Sequence, residues 1–178
     1  VIGLLVLAAA MLIAFLPLER RAGTHALVPR EVMRNESFTA SCIAILFMSA
    51  TFFAALLYLP QFMEKQLGYS PLEAGVGMLP FLATFALVSF VAGPLYSRVG
   101  AKVLAVVGAA CITLAPFLFS LVDPDSGYGS LVLGMVVLGI GIGSFYPTAT
   151  TAGVTSVDGS QTSLAGGIVY MFQIAGGS

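Results

Sequence analysis

Charge is what this 178-residue sequence lacks most. Asp, Glu, Lys and Arg make up only 8% of the residues, against about 25% in an ordinary soluble domain. A soluble fold of this size could not cover its surface with so few charges, which excludes the soluble globular class. The seven basic and eight acidic residues form no basic run, so the charge pattern does not indicate a nucleic-acid partner.

Cysteine and the usual catalytic groups are also scarce. Cys42 and Cys111 both fall inside apolar stretches, where a free cysteine behaves as a small buried hydrophobe. We therefore expect neither a disulfide nor a metal site. The apolar stretches hold no metal-ligand set and no paired carboxylates, so we expect no enzyme and no cofactor. His25 lies in a polar segment, and we expect it to be solvated.

Long apolar runs are what the sequence has instead, and Glu73, at the start of one, is the only charge within them. Each complete run has the length of about 18 to 25 residues that a helix needs to cross roughly 30 Å of hydrocarbon. A charge at the bilayer centre costs at least ~2.5 kcal/mol. The pattern predicts an all-α membrane protein, a bundle of five transmembrane helices plus the start of a sixth. The runs are residues 1–18, 38–62, 72–96, 103–122 and 131–151, with another beginning at Leu164. Both ends of the sequence fall inside apolar runs, so we expect a fragment of a longer chain.

The basic residues predict the orientation of the helices. Six of the seven lie in the first and third loops, which the positive-inside rule assigns to the cytoplasm. The fifth loop carries no basic residue and is assigned to the same side only by alternation. The six residues are Arg20, Arg21, Arg30, Arg34, Arg98 and Lys102.

Two loops carry local signals. In the second loop, Ser70 followed by Pro71 and Glu73 predicts a helix start with Ser70 as the N-cap. The third loop leaves almost no slack around Gly100, so we expect a very tight turn. Residues 123–127 form a cluster typical of turns.

Glycine and proline inside the runs concern how the helices pack. Gly139 and Gly143 form a G-x-x-x-G pair, which allows another backbone to approach closely. This pair predicts either static helix packing or a surface along which helices move. We also expect prolines to interrupt helical runs or their ends, as interrupted helices are common in transporters; these are Pro80, Pro94, Pro116 and Pro147.

Gln61 and Gln173 are the strongest hydrogen-bonding groups in the apolar runs. Each must either face a cavity or bond to a neighbouring helix. Ligand sites are mostly apolar with a few well-placed polar groups. We therefore predict a substrate path from these two glutamines and four aromatic side chains, Phe53, Tyr58, Tyr146 and Tyr170.

The third loop resembles a known family signature. Residues 93–102, GPLYSRVGAK, are similar to the G-x-L-x-D-R-x-G-R-K motif of the major facilitator superfamily. In that family the motif joins the second and third helices of each six-helix half on the cytoplasmic side. Ser97 stands where the motif has Asp, which weakens the charge-based latch. The matching positions are Gly93, Leu95, Arg98, Gly100 and Lys102.

Further stretches resemble the fourteen-helix drug:proton antiporter branch of this family. Residues 58–61, 67–75 and 79–80 are similar to the start of its C-terminal half, and residues 18–21 and 27–29 to the link before it. Residues 163–177 resemble its penultimate helix, with Phe172 where the branch often has Arg. The resemblance implies three parts: residues 1–18 as the last extra central helix, 19–37 as a cytoplasmic link and 38–178 as a partial C-terminal half.

The same resemblance implies a function. It indicates a secondary transporter, multi-pass in the plasma or inner membrane, that exports lipophilic drugs by proton-coupled alternating access. Its partners would be the lipid bilayer, a small-molecule substrate and protons, with the coupling residues outside this segment. An importer or exporter of another solute, such as a sugar or an organic acid, remains an alternative, as does a non-transporting membrane scaffold.

Overall fold

The computed structural model of the chain describes residues 30–122 and 127–178. These residues form helices with no strand among them, which confirms the all-α class. The predicted helix over 1–18, most of the link over 19–37 and residues 123–126 of the predicted turn lie outside the described residues. The helices are α1 (Arg30–Arg34), α2 (Glu36–Gln66), α3 (Pro71–Gly77), α4 (Leu79–Val99), α5 (Ala101–Ser120), α6 (Tyr128–Thr155) and, after a 3-10 turn (Gly159–Gln161), α7 (Thr162–Gly177).

Four stretches of the described chain are long and apolar enough to cross a membrane. They are α2, α3 with α4, α5 and α6, and they match the predicted runs 38–62, 72–96, 103–122 and 131–151. The 31 residues of α2 extend about 46 Å, more than the roughly 30 Å of hydrocarbon, so its ends reach the polar interfaces. α7 begins where the sixth helix is predicted and has 16 residues.

Local side-chain chemistry sets where two of the helices begin. Asn35 caps α2, because its Oδ1 accepts hydrogen bonds from the backbone N–H groups of Ser37 and Phe38 at 3.0 and 3.2 Å. Ser70 caps α3, and Glu73 reaches back to accept a bond of 2.8 Å from the Ser70 backbone N–H. The predicted helix start at Ser70 is therefore confirmed, with a reciprocal capping box in addition.

The third loop is reduced to a single residue, Gly100, between α4 and α5. Its φ of 82° and ψ of 159° are open to glycine and strained for a residue with a side chain. The predicted tight turn is confirmed, and the chain reverses direction without any slack.

The prediction that prolines interrupt the helices is correct only near Pro80. The helix there breaks at Met78, between α3 and α4. Pro94, Pro116 and Pro147 lie inside continuous helices, so the prediction is wrong for them. Neighbouring helices and polar side chains can satisfy the carbonyl group that a proline leaves free, and membrane helices tolerate proline for this reason.

α6 is the central helix of the bundle. It packs against α4, α5 and α2, and α7 packs mainly against α2. The core between them contains Met135, Leu138 and Ile142 of α6, all buried. On α2, the ring of Phe52 lies 5.8 Å from the ring of Phe81 and 5.5 Å from that of Phe85, so aromatic contacts join α2 to α4.

Two hydrogen bonds report which loops share a side of the bundle. The Asn35 side-chain amide donates to the Ser156 carbonyl oxygen at 2.6 Å, so the first and fifth loops adjoin. The Tyr128 hydroxyl donates to the Gly77 carbonyl oxygen at 2.8 Å, so the start of α6 meets the helix break after the second loop. The loops therefore alternate between the two ends of the bundle, as the spans require.

Candidate functional site

Glycines bring the backbone of α6 close to α4. A Cβ atom added at Gly139 would lie 2.8 Å from the carbonyl oxygen of Phe81, and one at Gly143 would lie 2.8 Å from that of Phe85. Both distances are shorter than real Cβ contacts. The G-x-x-x-G pair thus lies against α4.

A second set of glycines brings α6 close to α5. A Cβ atom at Gly141 would lie 2.8 Å from the backbone nitrogen of Ile112. On α5, a Cβ atom at Gly108 would lie 2.9 Å from the carbonyl oxygen of Gly141. Sequence reasoning missed Gly108, because a lone glycine in α5 carries no spacing signal. Helices α4, α5 and α6 are therefore joined backbone to backbone.

The loop signature lies at one end of these three helices. Arg98 and Lys102 are exposed on either side of Gly100, and Arg98 occupies the last turn of α4, where a cation is favourable. Ser97 donates to the Pro94 carbonyl oxygen at 2.8 Å, so it forms a local bond within α4. Leu95 is half-buried and lines a cavity of about 200 Å³ between α4, α5 and α6. Gly93 is exposed.

The structure has an open groove of about 570 Å³. One wall is α2, and the other is formed by α5 and α6. Most of the surface is apolar, and its polar groups are on α2. The lining includes Thr51, Ala55, Tyr58, Gln61 and Lys65 of α2, Pro116 and Phe119 of α5, and Leu131 and Leu138 of α6.

The groove brings together two of the predicted path residues, Tyr58 and Gln61. Tyr58 is 66% exposed and Gln61 is half-buried. Sequence reasoning did not assign Thr51 and Lys65 to the path. A signal was available, because positions 51, 58 and 65 are two helical turns apart and share one face of α2.

A second pair of predicted residues forms a direct contact elsewhere. The Tyr146 hydroxyl on α6 donates a hydrogen bond of 2.8 Å to the side-chain oxygen of Gln173 on α7. Both side chains are half-buried, and neither lines the groove. Gln173 was expected either to face a cavity or to bond to a neighbouring helix. Its side-chain carbonyl oxygen bonds to the neighbouring helix.

The remaining two aromatic residues, Phe53 and Tyr170, are not part of the groove lining. Phe53 packs its ring against Gly177, where a Cβ atom would overlap the ring, and against the edge of Phe52 with ring centroids 5.7 Å apart. Tyr170 is 60% exposed on α7. Of the six predicted path residues, Tyr58 and Gln61 therefore line the groove, and Tyr146 and Gln173 share a hydrogen bond.

Within residues 30–122 and 127–178, no three His, Cys, Asp or Glu side chains are close enough together to hold a metal ion.

Comparison with known proteins identifies the family. The family model of the Major Facilitator Superfamily matches residues 1–178. The chain is 31% identical over 178 residues to an uncharacterized MFS-type transporter, EfpA, of Mycobacterium tuberculosis, covering 98% of the chain and 33% of that protein. It is 28% identical over 171 residues to the tetracenomycin C resistance and export protein of Streptomyces glaucescens, covering 96% of the chain and 32% of the relative.

A further relative is the multidrug transporter protein MdtP of Bacillus subtilis, 27% identical over 152 residues, or 85% of this chain and 28% of MdtP. The chain thus spans about a third of the length of these relatives.

Proposed function

Because this chain belongs to the Major Facilitator Superfamily, we propose that it works as part of a longer, proton-coupled exporter of lipophilic small molecules. The chain itself is a multi-pass membrane protein. The observation that carries the proposal is its similarity, over most of its length, to relatives named for multidrug transport and for tetracenomycin C export. Alternating access needs two facing halves, and this segment contributes helices of one.

The physical character of the bundle supports a transporter of apolar compounds. The groove between α2, α5 and α6 is mostly apolar, with amide and hydroxyl groups and the ammonium group of Lys65 on the α2 wall. Ligand sites of this composition suit drug-sized lipophilic molecules, since apolar surface supplies affinity and a few polar groups supply orientation. Sugars would call for more hydrogen-bonding groups than this surface offers.

Proton coupling is assigned to residues outside this segment. Proton relays in membrane proteins use ionisable side chains within the hydrocarbon region. In this sequence the apolar runs contain no such side chain beyond Glu73, at the start of one run. Glu73 is exposed and hydrogen-bonded to Ser70 in the capping box, so its role is to stabilise the start of a helix.

We further propose that substrates contact two pairs of residues along the path, Gln61 with Tyr58 and Gln173 with Tyr146.

The test uses the full-length protein that contains this segment. It is expressed in bacteria that lack their own drug exporters, and inside-out vesicles are prepared. Adding a fluorescent lipophilic cation to energised vesicles should cause its uptake together with proton release, and a protonophore should abolish the uptake. Uptake that persists with the protonophore would contradict proton coupling. No uptake of any lipophilic probe would contradict the export function.

A further inference from the structure

Gln173 holds a hydrogen-bond donor that the fold leaves unused. A glutamine side chain carries one carbonyl oxygen and one NH2 group with two donors. The oxygen accepts the Tyr146 hydroxyl at 2.8 Å. The nitrogen makes no hydrogen bond with any residue in the described part of the chain, and it is not among the fully buried unpartnered atoms there. Within the described part of the chain, the donors are therefore unpaired and not fully buried.

The bond to Tyr146 leaves one end of the amide free. A tyrosine hydroxyl can donate or accept a hydrogen bond; here it donates to the Gln173 oxygen and so holds that oxygen against α6. The NH2 group then points away from the bond between the helices. Tyr146 is thus a positioning residue, because it orients the group that would meet a ligand.

The depth of Gln173 makes free donors expensive. It lies eleven residues after the start of α7 at Thr162, about 16 Å along the helix axis. Its neighbour Ile174 is 51% exposed and apolar. An unsatisfied N–H group facing lipid at such a depth costs several kcal/mol. A polar or ligand-lined space beside Gln173 would satisfy these donors.

We infer that the Tyr146–Gln173 pair selects substrates by presenting N–H donors, so that it favours lipophilic compounds with an exposed acceptor oxygen, such as an aromatic ketone. This inference rests on the proposed export function. A neutral hydrogen bond of this kind contributes about 0.5–1.5 kcal/mol, which corresponds to a preference of about 3- to 10-fold. An isostere without the acceptor, or with a donor in its place, leaves the Gln173 donors unpaired.

The experiment compares three tricyclic compounds of the same shape as inhibitors of export. 9-Fluorenone has a carbonyl oxygen, fluorene has a methylene group and carbazole has an N–H donor at the same position. The reporter is export of a fluorescent lipophilic cation by the full-length protein. We expect fluorenone to inhibit at about 3- to 10-fold lower concentration than fluorene or carbazole.

Two variants separate a selecting role from a structural one. Gln173→Met keeps the length of the side chain and removes the donors, so it should abolish the difference in inhibition between fluorenone and fluorene. Tyr146→Phe frees the amide to rotate and offer its oxygen. It should therefore weaken inhibition by fluorenone and strengthen inhibition by carbazole. Gln161→Met makes the same change at the glutamine of the 3-10 turn and should keep the wild-type order of the three inhibitors.

The outcomes are distinct. Equal inhibition by the three compounds in the wild-type protein, with the reporter still exported, overturns this inference and leaves the proposed function standing. An unchanged fluorenone preference in both variants also overturns it. If Gln173→Met does not reach the membrane, the carbazole response of Tyr146→Phe decides. No export of the reporter by the wild-type protein overturns the proposed function and this inference with it.

Discussion

The side-chain amide of Asn35 donates a 2.6 Å hydrogen bond to the carbonyl oxygen of Ser156. Through the same side chain, Asn35 caps α2 with its oxygen and binds the last turn of α6 with its nitrogen. One residue therefore joins the start of one membrane helix to the end of another. The first and fifth loops lie on one face of the membrane as a result, although only the first carries basic residues.

This arrangement predicts the labelling of introduced cysteines. In a full-length background without Cys42 and Cys111, Gly159→Cys in the fifth loop should react with an impermeant maleimide only from the cytoplasmic side. Glu64→Cys, at the far end of α2, should react only from outside. Both positions are exposed. Reaction of both cysteines from one side would contradict the order of the helices.

The contact of α6 with α4 predicts opposite effects of one substitution at two glycines. Gly139→Ala would place a Cβ atom 2.8 Å from the Phe81 carbonyl oxygen, so it should destabilise the protein, by about 1–3 kcal/mol. Gly129→Ala, in the first turn of the same helix, meets nothing within 4 Å and should stabilise it by up to about 1 kcal/mol. Thermal unfolding in detergent measures both. Equal melting temperatures would show that α4 and α6 have room to separate.

The turn at Gly100 predicts a cost for any side chain there. Its φ of 82° is unfavourable for L-residues with a Cβ atom, so Gly100→Ala should cost about 1–2 kcal/mol. Gly93→Ala, in the same loop signature but inside α4 with open space around it, should not lower stability. Comparing the melting temperatures of the two variants tests the conformational argument. A Gly100→Ala protein as stable as wild type would contradict it.

The helix break at Met78 predicts a role for one tyrosine hydroxyl. Tyr128→Phe removes the 2.8 Å bond to the Gly77 carbonyl oxygen, and it should destabilise the protein by about 0.5–1.5 kcal/mol. Tyr69→Phe is the matched control. The Tyr69 ring lies 6.2 Å from the Tyr128 ring, and the Tyr69 hydroxyl makes no hydrogen bond with the described residues. The control should be as stable as the wild type. An equal loss of stability in both variants would mean that the effect comes from ring packing and not from the hydrogen bond.

The groove predicts a change of substrate profile at its amide. Gln61→Ala in the full-length protein should reduce resistance to some drugs more than to others, at normal abundance in the membrane, because Gln61 lines an otherwise apolar surface. Drug susceptibility panels and immunoblots measure the two quantities. Lower abundance with a uniform loss of resistance would make Gln61 a structural residue of α2.

The positions of the spans and several of their ends follow from the sequence alone. A charge in hydrocarbon is costly wherever the helix lies, so charge-free runs mark the membrane segments before any packing is known. The caps at Ser70 and the turn at Gly100 are also local, since a hydroxyl three residues from a carboxylate, or a missing Cβ atom, acts within a few residues. Reasoning from Pro94, Pro116 and Pro147 failed because distant neighbours decide whether a helix continues past a proline.

Only the tertiary structure decided which faces meet. Gly143 lies against α4 and Gly141 lies against α5 because of the rotation of α6 about its own axis. The helical pattern of an all-apolar segment leaves that rotation undetermined. The bond from Tyr146 to Gln173 and the separation of that pair from Tyr58 and Gln61 depend on the register between helices. Register results from close packing over the whole bundle, so it lies beyond the reach of any short stretch of sequence.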